Sequence, residues 1–298
     1  CMRIVHQQVV QAGKVNFVRL VSAAWQADTL TVFINTNLGR HADAERIVNT
    51  TPVGMYPNNG AAAVDLTAFP ACAGVLDLIY KPRRTALLLQ AEALGIPCSD
   101  GLPMLVAQAK AAEEHFFDRT IADSENERIL AQLRREMTNL VLIGMPGSGK
   151  SAVGAALAAL TGREAIDIDA RIAEKAGCSI PEIFAKGGEA AFRALEREAT
   201  AACGALSGKL LLTGGGVVKT PGNYAALHQN GRIYQLLRPL ELLPTDGRPL
   251  SQGADLAAMW AERAPLYERF RDAAIDNSGT VEQTAQAIWR DFCENSGH

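Results

Sequence analysis

The chain has 298 residues, of which 48% are hydrophobic, and its net charge is −3. That length favours two domains, each able to bury its own core, and the near-neutral charge argues against a dedicated nucleic-acid binder. No apolar run approaches the length of a membrane span and no basic region precedes one at the N-terminus, so we expect a soluble, cytoplasmic protein without a membrane partner. The scattered cysteines and histidines show no spacing typical of a transition-metal site.

The first third of the chain alternates strand-like and helix-like segments. The stretch "RRTALLLQAEALG" predicts a helix that stops at Gly95, with Pro97 beyond it. The alternation predicts an α/β sheet with crossover connections. The strand candidates are "VNFVRLV" (15–21), "LTVFIN" (30–35), "RIVNTTP" (46–52) and "GVLDLIY" (74–80).

Between Met104 and Met137 the sequence becomes polar and rich in helix-forming residues. Its pattern predicts a terminal helix of the first unit, a polar break and a connecting helix. We therefore predict a first domain over 1–118, a helical linker over 119–138 and a second domain over 139–298.

The second domain begins at "NLVLIG" and contains five strand candidates separated by helix-length segments. This arrangement predicts a single α/β domain with a parallel five-stranded sheet. The candidates are "NLVLIG" (139–144), "REAIDID" (163–169), "KLLLTGGG" (209–216), "GRIYQLL" (231–237) and "DAAIDNSG" (272–279).

Residues 144–151, "GMPGSGKS", match the pattern G-x-x-x-x-G-K-[ST] between an apolar strand and the Ala-rich helix "SAVGAALAAL". Glycines let the backbone wrap phosphates, the helix N-terminus meets their negative charge, and Lys150 adds a point charge. Ser151 is placed to hold Mg²⁺. The motif predicts a nucleotide site, but it does not distinguish a kinase from a GTPase, an ATPase or a binding module.

Charged residues further along the chain supply candidates for the acceptor side. Asp167 and Asp169 are predicted at the end of a strand, where one can face Mg²⁺ and the other an alcohol; the alternative is an ordinary surface strand end. Arg193 and Glu196 share one helix face, either at a ligand site or as a simple surface ion pair.

A triple glycine, 214–216, follows the apolar run "LLLT" and would let a ligand lie against bare backbone at the sheet edge. Arg248 lies in the loop "TDGRPLSQG", and Arg263 in "ERAPLYERF". A loop arginine is suited to neutralising charge on a transferring phosphoryl group and to excluding water. Either arginine alone would be a solvated surface residue.

Taken together, these motifs resemble shikimate kinase from about Asn139 to the C-terminus. The phosphate loop, the D-x-D, the F-R-x-x-E helix, the triple glycine, the R-P-L lid and the R-x-P-L-Y segment occur in family order. The resemblance implies a P-loop kinase of the shikimate pathway that uses ATP and Mg²⁺ and phosphorylates the 3-hydroxyl of shikimate.

The resemblance also implies a role for each matching residue. Asp169 would bind the ring hydroxyls and accept the proton of the attacking one, while Lys150 and Arg248 offset charge on the phosphoryl group. Ser151 and Asp167 would hold Mg²⁺. The expected substrate-binding residues are Asp169, Arg193, Gly215 and Arg263. The expected ATP-binding residues are Gly147, Ser148, Gly149, Lys150, Ser151, Ala152 and Arg248. One departure is that the lid region carries only Arg238 as an additional cation.

The first domain resembles the C-terminal part of shikimate dehydrogenase, a Rossmann-like α/β domain, through "IVNTTPVGMYPNNG", "VLDLIYKP" and "DGLPMLVAQA". The resemblance implies that Thr51 and Leu78 lie near NADP, that Gly101 lines the cofactor groove, and that Tyr80 and Gln108 face the substrate. Residues 1–46 have no G-x-G-x-x-G turn, and the sequence from Cys1 onward does not include the substrate domain that precedes this part in the family. We therefore expect a partial domain, inactive alone, and leave NADP binding open.

Three alternatives stay open beside a shikimate kinase with this domain ahead of it. The kinase scaffold could phosphorylate another small acceptor, such as gluconate or a nucleoside monophosphate. The pair Arg193 and Arg263 bears on this alternative, because a site that binds a carboxylate needs both arginines. The first domain could be a docking module for a pathway enzyme. The chain could also be a fragment of a bifunctional dehydrogenase–kinase.

Overall fold

The computed structural model describes residues 41–243 and 256–296 in full, and the backbone of 2–5 and 30–33. Two compact units follow each other along the chain, Cys1–Leu130 and Ala131–His298. Both are α/β, as predicted. None of the helices in the described ranges combines the length and the apolar character that a membrane crossing requires.

The first unit contains a five-stranded parallel sheet of order β2-β1-β3-β4-β5. The predicted strands at β2, β3 and β4 are confirmed, β1 and the two-residue β5 were not predicted, and the candidate 15–21 lies outside the described residues. The strands are β1 (Met2–Val5), β2 (Leu30–Phe33), β3 (Arg46–Asn49), β4 (Gly74–Asp77) and β5 (Cys98–Ser99).

Helices α1 (Ala86–Ala93), α2 (Leu102–Phe117) and α3 (Asp123–Met137) follow the predicted pattern. Thr85 caps α1, and Gly95 follows its end with a φ of 68°. Asp118 ends α2 in the left-handed conformation and so produces the polar break before α3. The change from one compact unit to the next falls inside α3.

The second unit has a parallel sheet of order β10-β9-β6-β8-β7, so the five predicted parallel strands are confirmed. The strands are β6 (Asn139–Ile143), β7 (Ala165–Asp167), β8 (Leu210–Leu212), β9 (Gly231–Leu237) and β10 (Ala273–Asp276). The helices are α4 (Lys150–Thr161), α5 (Ile168–Ala176), α6 (Ile180–Gly204), α7 (Gly222–His228), α8 (Leu256–Phe270) and α9 (Val281–Asn295).

The central strand β6 is buried on both faces, which explains its uninterrupted apolar sequence. Leu140 and Leu142 pack with side chains of α4 and α9 on one face, and Val141 and Ile143 pack with side chains of α5 to α8 on the other. The strands β8 and β9 flank β6. The chain order therefore reverses at β6, and the carboxyl ends of the strands meet where open α/β sheets bind ligands.

Helix α6 is interrupted at Gly188, whose φ of 68° and ψ of −169° are not helical. Its first segment begins with a capping box between Ser179 and Glu182. The second segment begins beside Glu189 and carries Arg193 and Glu196 toward the carboxyl end of the sheet.

Candidate active site

A cavity of about 780 Å³ opens at the carboxyl ends of the strands of the second unit. Most of the residues predicted for the second domain line this one cavity, together with Glu196 and Arg238. These lining residues include Gly147, Gly149, Lys150, Ser151, Ala152, Asp167, Asp169, Arg193, Gly215 and Arg263. Ser148 is buried beside them, and Arg248 lies outside the described residues.

The phosphate loop is held in shape by Asn277, which directly follows β10. Its Nδ2 donates to the carbonyl of Ser148 at 2.6 Å, and its Oδ1 accepts from Thr284 Oγ1 at 2.8 Å. Gly149 has a φ of 95°, and a Cβ there would stand 2.5 Å from Asn277 Nδ2. We did not predict Asn277 for the site, although a polar residue directly after an apolar strand was a usable signal.

Lys150 folds back over the phosphate loop from the first turn of α4. Its Nζ donates to the carbonyls of Gly144 at 2.8 Å and of Met145 at 3.0 Å. Ser151 is exposed in the same helical turn and lines the cavity. The N-terminus of α4 and the ammonium group of Lys150 therefore place positive charge at the same part of the cavity, which favours binding of an anion there.

Asp169 lies in the first turn of α5, so its predicted place in a strand is wrong. The strand β7 ends at Asp167, whose Oδ1 accepts from the N–H groups of Asp169 at 2.9 Å and of Ala170 at 3.2 Å. Because this carboxylate caps the helix, the backbone leaves the strand conformation there. The two aspartates therefore reach the cavity from different elements.

Burial raises the pKa of Asp169 to about 6, and the nearby carboxylates of Asp167 and Glu196 add to the rise. The positive charges of Lys150 and Arg193 oppose it. A carboxylate with a pKa of about 6 is ionised at neutral pH and still basic enough to accept a proton.

Arg193 and Glu196 form a partly buried ion pair on the cavity wall. Arg193 Nη1 donates to Glu196 Oε2 at 2.8 Å and to the carbonyl of Gly216 at 3.1 Å. Burial raises the pKa of the Glu196 carboxyl, which is 1% exposed, and Arg193 opposes this rise. The pair therefore belongs to a built site, unlike the exposed i,i+3 pairs of a helix surface.

The triple glycine makes room for side chains of the protein itself. A Cβ at Gly214 would stand 2.7 Å from Asp169 Oδ1, and one at Gly215 would stand 2.6 Å from the Pro146 ring. A Cβ at Gly216 would stand 2.6 Å from Arg193 Nη2. Any side chain at these positions would displace a residue that lines the cavity.

Two residues of α8 hold the peptide of Gly215. Arg263 Nη1 donates to its carbonyl at 3.1 Å, and the Tyr267 hydroxyl donates to the same oxygen at 2.6 Å. Tyr267 is fully buried, and burial raises its pKa to about 12. Tyr267 is the last residue of the R-x-P-L-Y segment, for which the sequence predicted a role only for the arginine.

Several buried polar atoms at the cavity have no hydrogen-bond partner within the described part of the chain. Both donors and acceptors are represented, which suits a ligand that carries an anionic group and hydroxyls. These atoms are Ser148 Oγ, Asp169 Oδ1, Glu196 Oε1, Arg238 Nε and Arg263 Nε. Arg238 directly follows β9 and lines the cavity, although we had placed it only in the lid.

Three of the residues predicted for the first unit, Thr51, Leu78 and Tyr80, follow the carboxyl ends of β3 and β4. Thr51 is buried, and both its N–H and its hydroxyl donate to Asn49 Oδ1, at 3.0 and 2.8 Å. Asn49 Nδ2 donates to Asp77, which also accepts from Thr85 Oγ1 at 2.6 Å. Thr51 therefore belongs to a buried polar network that joins the two strand ends.

The other predicted residues of this unit differ in exposure. Gly101 precedes α2, where a Cβ would clash with the Leu78 carbonyl. Leu78 is partly buried, whereas Tyr80 and Gln108 are exposed. The predicted contacts of these residues with NADP and substrate stay predictions.

The model of the shikimate kinase family matches residues 146–292. A shikimate kinase from Stenotrophomonas maltophilia strain K279a is 43% identical over 158 residues, which cover 50% of this chain and 88% of that protein. The solved shikimate kinase from Acinetobacter baumannii in complex with shikimate is 31% identical. It covers 55% of this chain and 98% of its own, with a TM-score of 0.50.

A second solved structure with similarity to this chain is shikimate dehydrogenase 1 from Peptoclostridium difficile. It is 28% identical and covers 45% of this chain and 52% of its own, with a TM-score of 0.38.

Proposed function

Because this chain belongs to the shikimate kinase family through residues 146–292, we propose that it transfers the γ-phosphate of ATP to the 3-hydroxyl of shikimate. As a member of this family, the chain is an ATP-dependent kinase. The observation that carries the proposal is one cavity that combines a phosphate loop, a carboxylate of raised pKa and two arginines from separate helices. A small hydroxylated acid needs cations for its carboxylate and a proton acceptor for its hydroxyl.

In this proposal the phosphate loop and Lys150 hold the ATP phosphates. Arg238 adds positive charge beside that loop, because its Nη1 would lie 3.9 Å from a Cβ at Gly149. Arg193 and Arg263 hold the shikimate carboxylate. Asp169 orients the attacking hydroxyl and accepts its proton. The role of Arg248, as a cation that closes over the phosphates, rests on the resemblance alone.

Mg²⁺ fits the proposed site through the hydroxyl of Ser151 and the carboxylate of Asp167, both of which line the cavity. The described residues contain no group of three or more His, Cys, Asp and Glu side chains that could hold a metal by themselves. A cation held mainly by substrate phosphates and water agrees with that sparse ligand set. When bound, it would supply charge neutralisation on the phosphate oxygens.

A coupled assay of ADP release with ATP, Mg²⁺ and shikimate tests the proposal. We expect saturable turnover with shikimate and little with gluconate, because gluconate carries the carboxylate on a flexible chain. No turnover with shikimate, or equal turnover with gluconate, would count against the assignment.

Replacing Arg263 with alanine should raise KM for shikimate by about 10-fold or more, because a charge-assisted contact to the carboxylate is lost. The KM for ATP should change much less. Arg269→Ala is the matched control, since Arg269 is exposed on the same helix. An unchanged KM for shikimate in Arg263→Ala would place the carboxylate elsewhere.

Replacing Tyr267 with phenylalanine removes the shorter of the two hydrogen bonds on the Gly215 carbonyl. We expect kcat/KM for shikimate to fall by about 5- to 10-fold, because that peptide is no longer held by two donors. Tyr234→Phe is the control: it removes another buried tyrosine hydroxyl, which donates to Asp291 on α9 at 2.8 Å. If both variants lose equal stability and equal kcat/KM, Tyr267 has no positioning role.

We further propose that the first unit is a shikimate dehydrogenase-like domain fused to the kinase, which agrees with the sequence segments around Thr51, Tyr80 and Gly101. Binding of NADP by this unit stays open, and so does its docking to a pathway enzyme. Titration of the intact chain with NADPH, followed by its fluorescence, tests the first of these; absence of saturable binding would count against it.

A further inference from the structure

Arg193, assigned above to the substrate carboxylate, already holds a second carboxylate of the protein. Its Nε and Nη2 both donate to Glu189 Oε1, at 3.2 and 3.0 Å. Its Nη1 is engaged separately by Glu196 and by the carbonyl of Gly216. The Nε/Nη2 edge is one of the sides of a guanidinium that can form paired hydrogen bonds with a carboxylate, and the other side needs Nη1, which already has two acceptors.

A substrate carboxylate can therefore form a paired contact with this edge only when Glu189 leaves it. We propose that Glu189 is an internal competitor for the acceptor's carboxylate, and that this competition sets the affinity for the acceptor acid. The inference rests on the proposed function, since it takes a carboxylate as the ligand of Arg193. It adds to that function a residue that opposes binding.

The structure provides a place for the displaced carboxylate. Glu189 is half exposed and directly follows the break at Gly188. Its Oε1 also lies 3.3 Å from Lys219 Nζ. Lys219 can therefore keep its ion pair with Glu189 while Arg193 binds the substrate carboxylate. This remaining ion pair limits the free-energy cost of the exchange.

Glu262 supplies a closely matched control. Its Oε1 lies 3.3 Å from the same Lys219 Nζ, and its side chain is 54% exposed against 53% for Glu189. Glu189 contacts Arg193, whereas within the described ranges Glu262 forms an ion pair only with Lys219. The variants Glu189→Gln and Glu262→Gln therefore remove the same charge at similar exposure and differ in the contact with Arg193.

We expect Glu189→Gln to lower KM for shikimate by about 2- to 5-fold, the size of a partly exposed ion pair. The change in kcat should be smaller than the change in KM. Glu262→Gln should leave KM near the value of the unmodified chain. With shikimate methyl ester, which lacks the carboxylate charge, Glu189→Gln and the unmodified chain should have the same KM.

A raised KM in Glu189→Gln would overturn the inference, because Glu189 would then orient Arg193 for the substrate. A KM equal to that of Glu262→Gln would also overturn it, since only the general charge would matter. Absence of shikimate turnover in the unmodified chain would count against the proposed function instead. The two failures are therefore separable in one set of assays.

Discussion

Replacing Lys150 with alanine is expected to lower kcat/KM for phosphoryl transfer by about 10²- to 10³-fold, the usual loss when one preorganised group at a developing charge is removed. The ammonium group of Lys150 lies over the phosphate loop, where it donates hydrogen bonds to the carbonyls of Gly144 and Met145. Its positive charge also opposes the raised pKa of Asp169. The variant should therefore lose charge neutralisation and also make Asp169 harder to ionise.

Steady-state kinetics with ATP and shikimate measure this loss, and circular dichroism checks the fold. Lys209→Ala is the control, because the ammonium group of Lys209 pairs with Glu164 at 2.8 Å and does not line the cavity. Activity within about 10-fold of the unmodified chain would show that another cation serves the phosphates. Arg238 would then be the first candidate, since it lines the same cavity.

Replacing Asp169 with asparagine is expected to lower kcat by about 10²- to 10⁴-fold, because an amide cannot accept the proton of the attacking hydroxyl. In the unmodified chain the ionised carboxylate is the active form. With the pKa raised to about 6, kcat/KM should fall as the pH drops through about 6. The residual activity of Asp169→Asn should not follow that profile. Full activity in the variant would remove Asp169 from the chemistry.

The same substitution should stabilise the fold at neutral pH. Because the pKa of Asp169 in the folded chain, about 6, exceeds its usual 3.8, unfolding releases a proton between these values, and stability falls as the pH rises through that window. Asparagine avoids this cost of roughly 3 kcal/mol, so Tm should rise by several degrees above pH 6 and little at pH 4.

Thermal unfolding at both pH values checks this expectation. Asp167→Asn is the control, because that carboxylate is exposed and asparagine caps a helix about equally well. A gain of the same size in Asp167→Asn, or a gain that does not depend on pH, would contradict the assigned burial of Asp169.

Much of the second unit follows from its sequence. All five strands were predicted. The buried strands β6 and β8 are uninterrupted apolar runs, and turn residues separate the five strands along the chain. In the first unit, β1 and β5 were missed; β5 consists of only two residues, Cys98 and Ser99, which carry no periodicity. The error at Asp169 arose from reading "IDID" as a continuous strand, when Asp167 acts as a helix cap.

The candidate site was predicted less completely, because several of its residues have no motif. Tyr267 and Asn277 act through backbone carbonyls that are distant in sequence, at Gly215 and Ser148. Glu189 could be read as an ordinary i,i+4 partner of Arg193. Its competition with a substrate depends on which edge of the guanidinium it occupies, and one-dimensional spacing does not contain that information.

The amino-acid sequence by itself determined the α/β class, the phosphate loop and the family of the second unit, because these depend on local periodicity and on ordered motifs. The tertiary structure alone decided the environment of each group. The pKa of Asp169 is raised by burial and by Glu196, and the triple glycine is required by Asp169, Pro146 and Arg193. Burial and close approach are sums over residues from separate elements, so they exist only once the chain has folded.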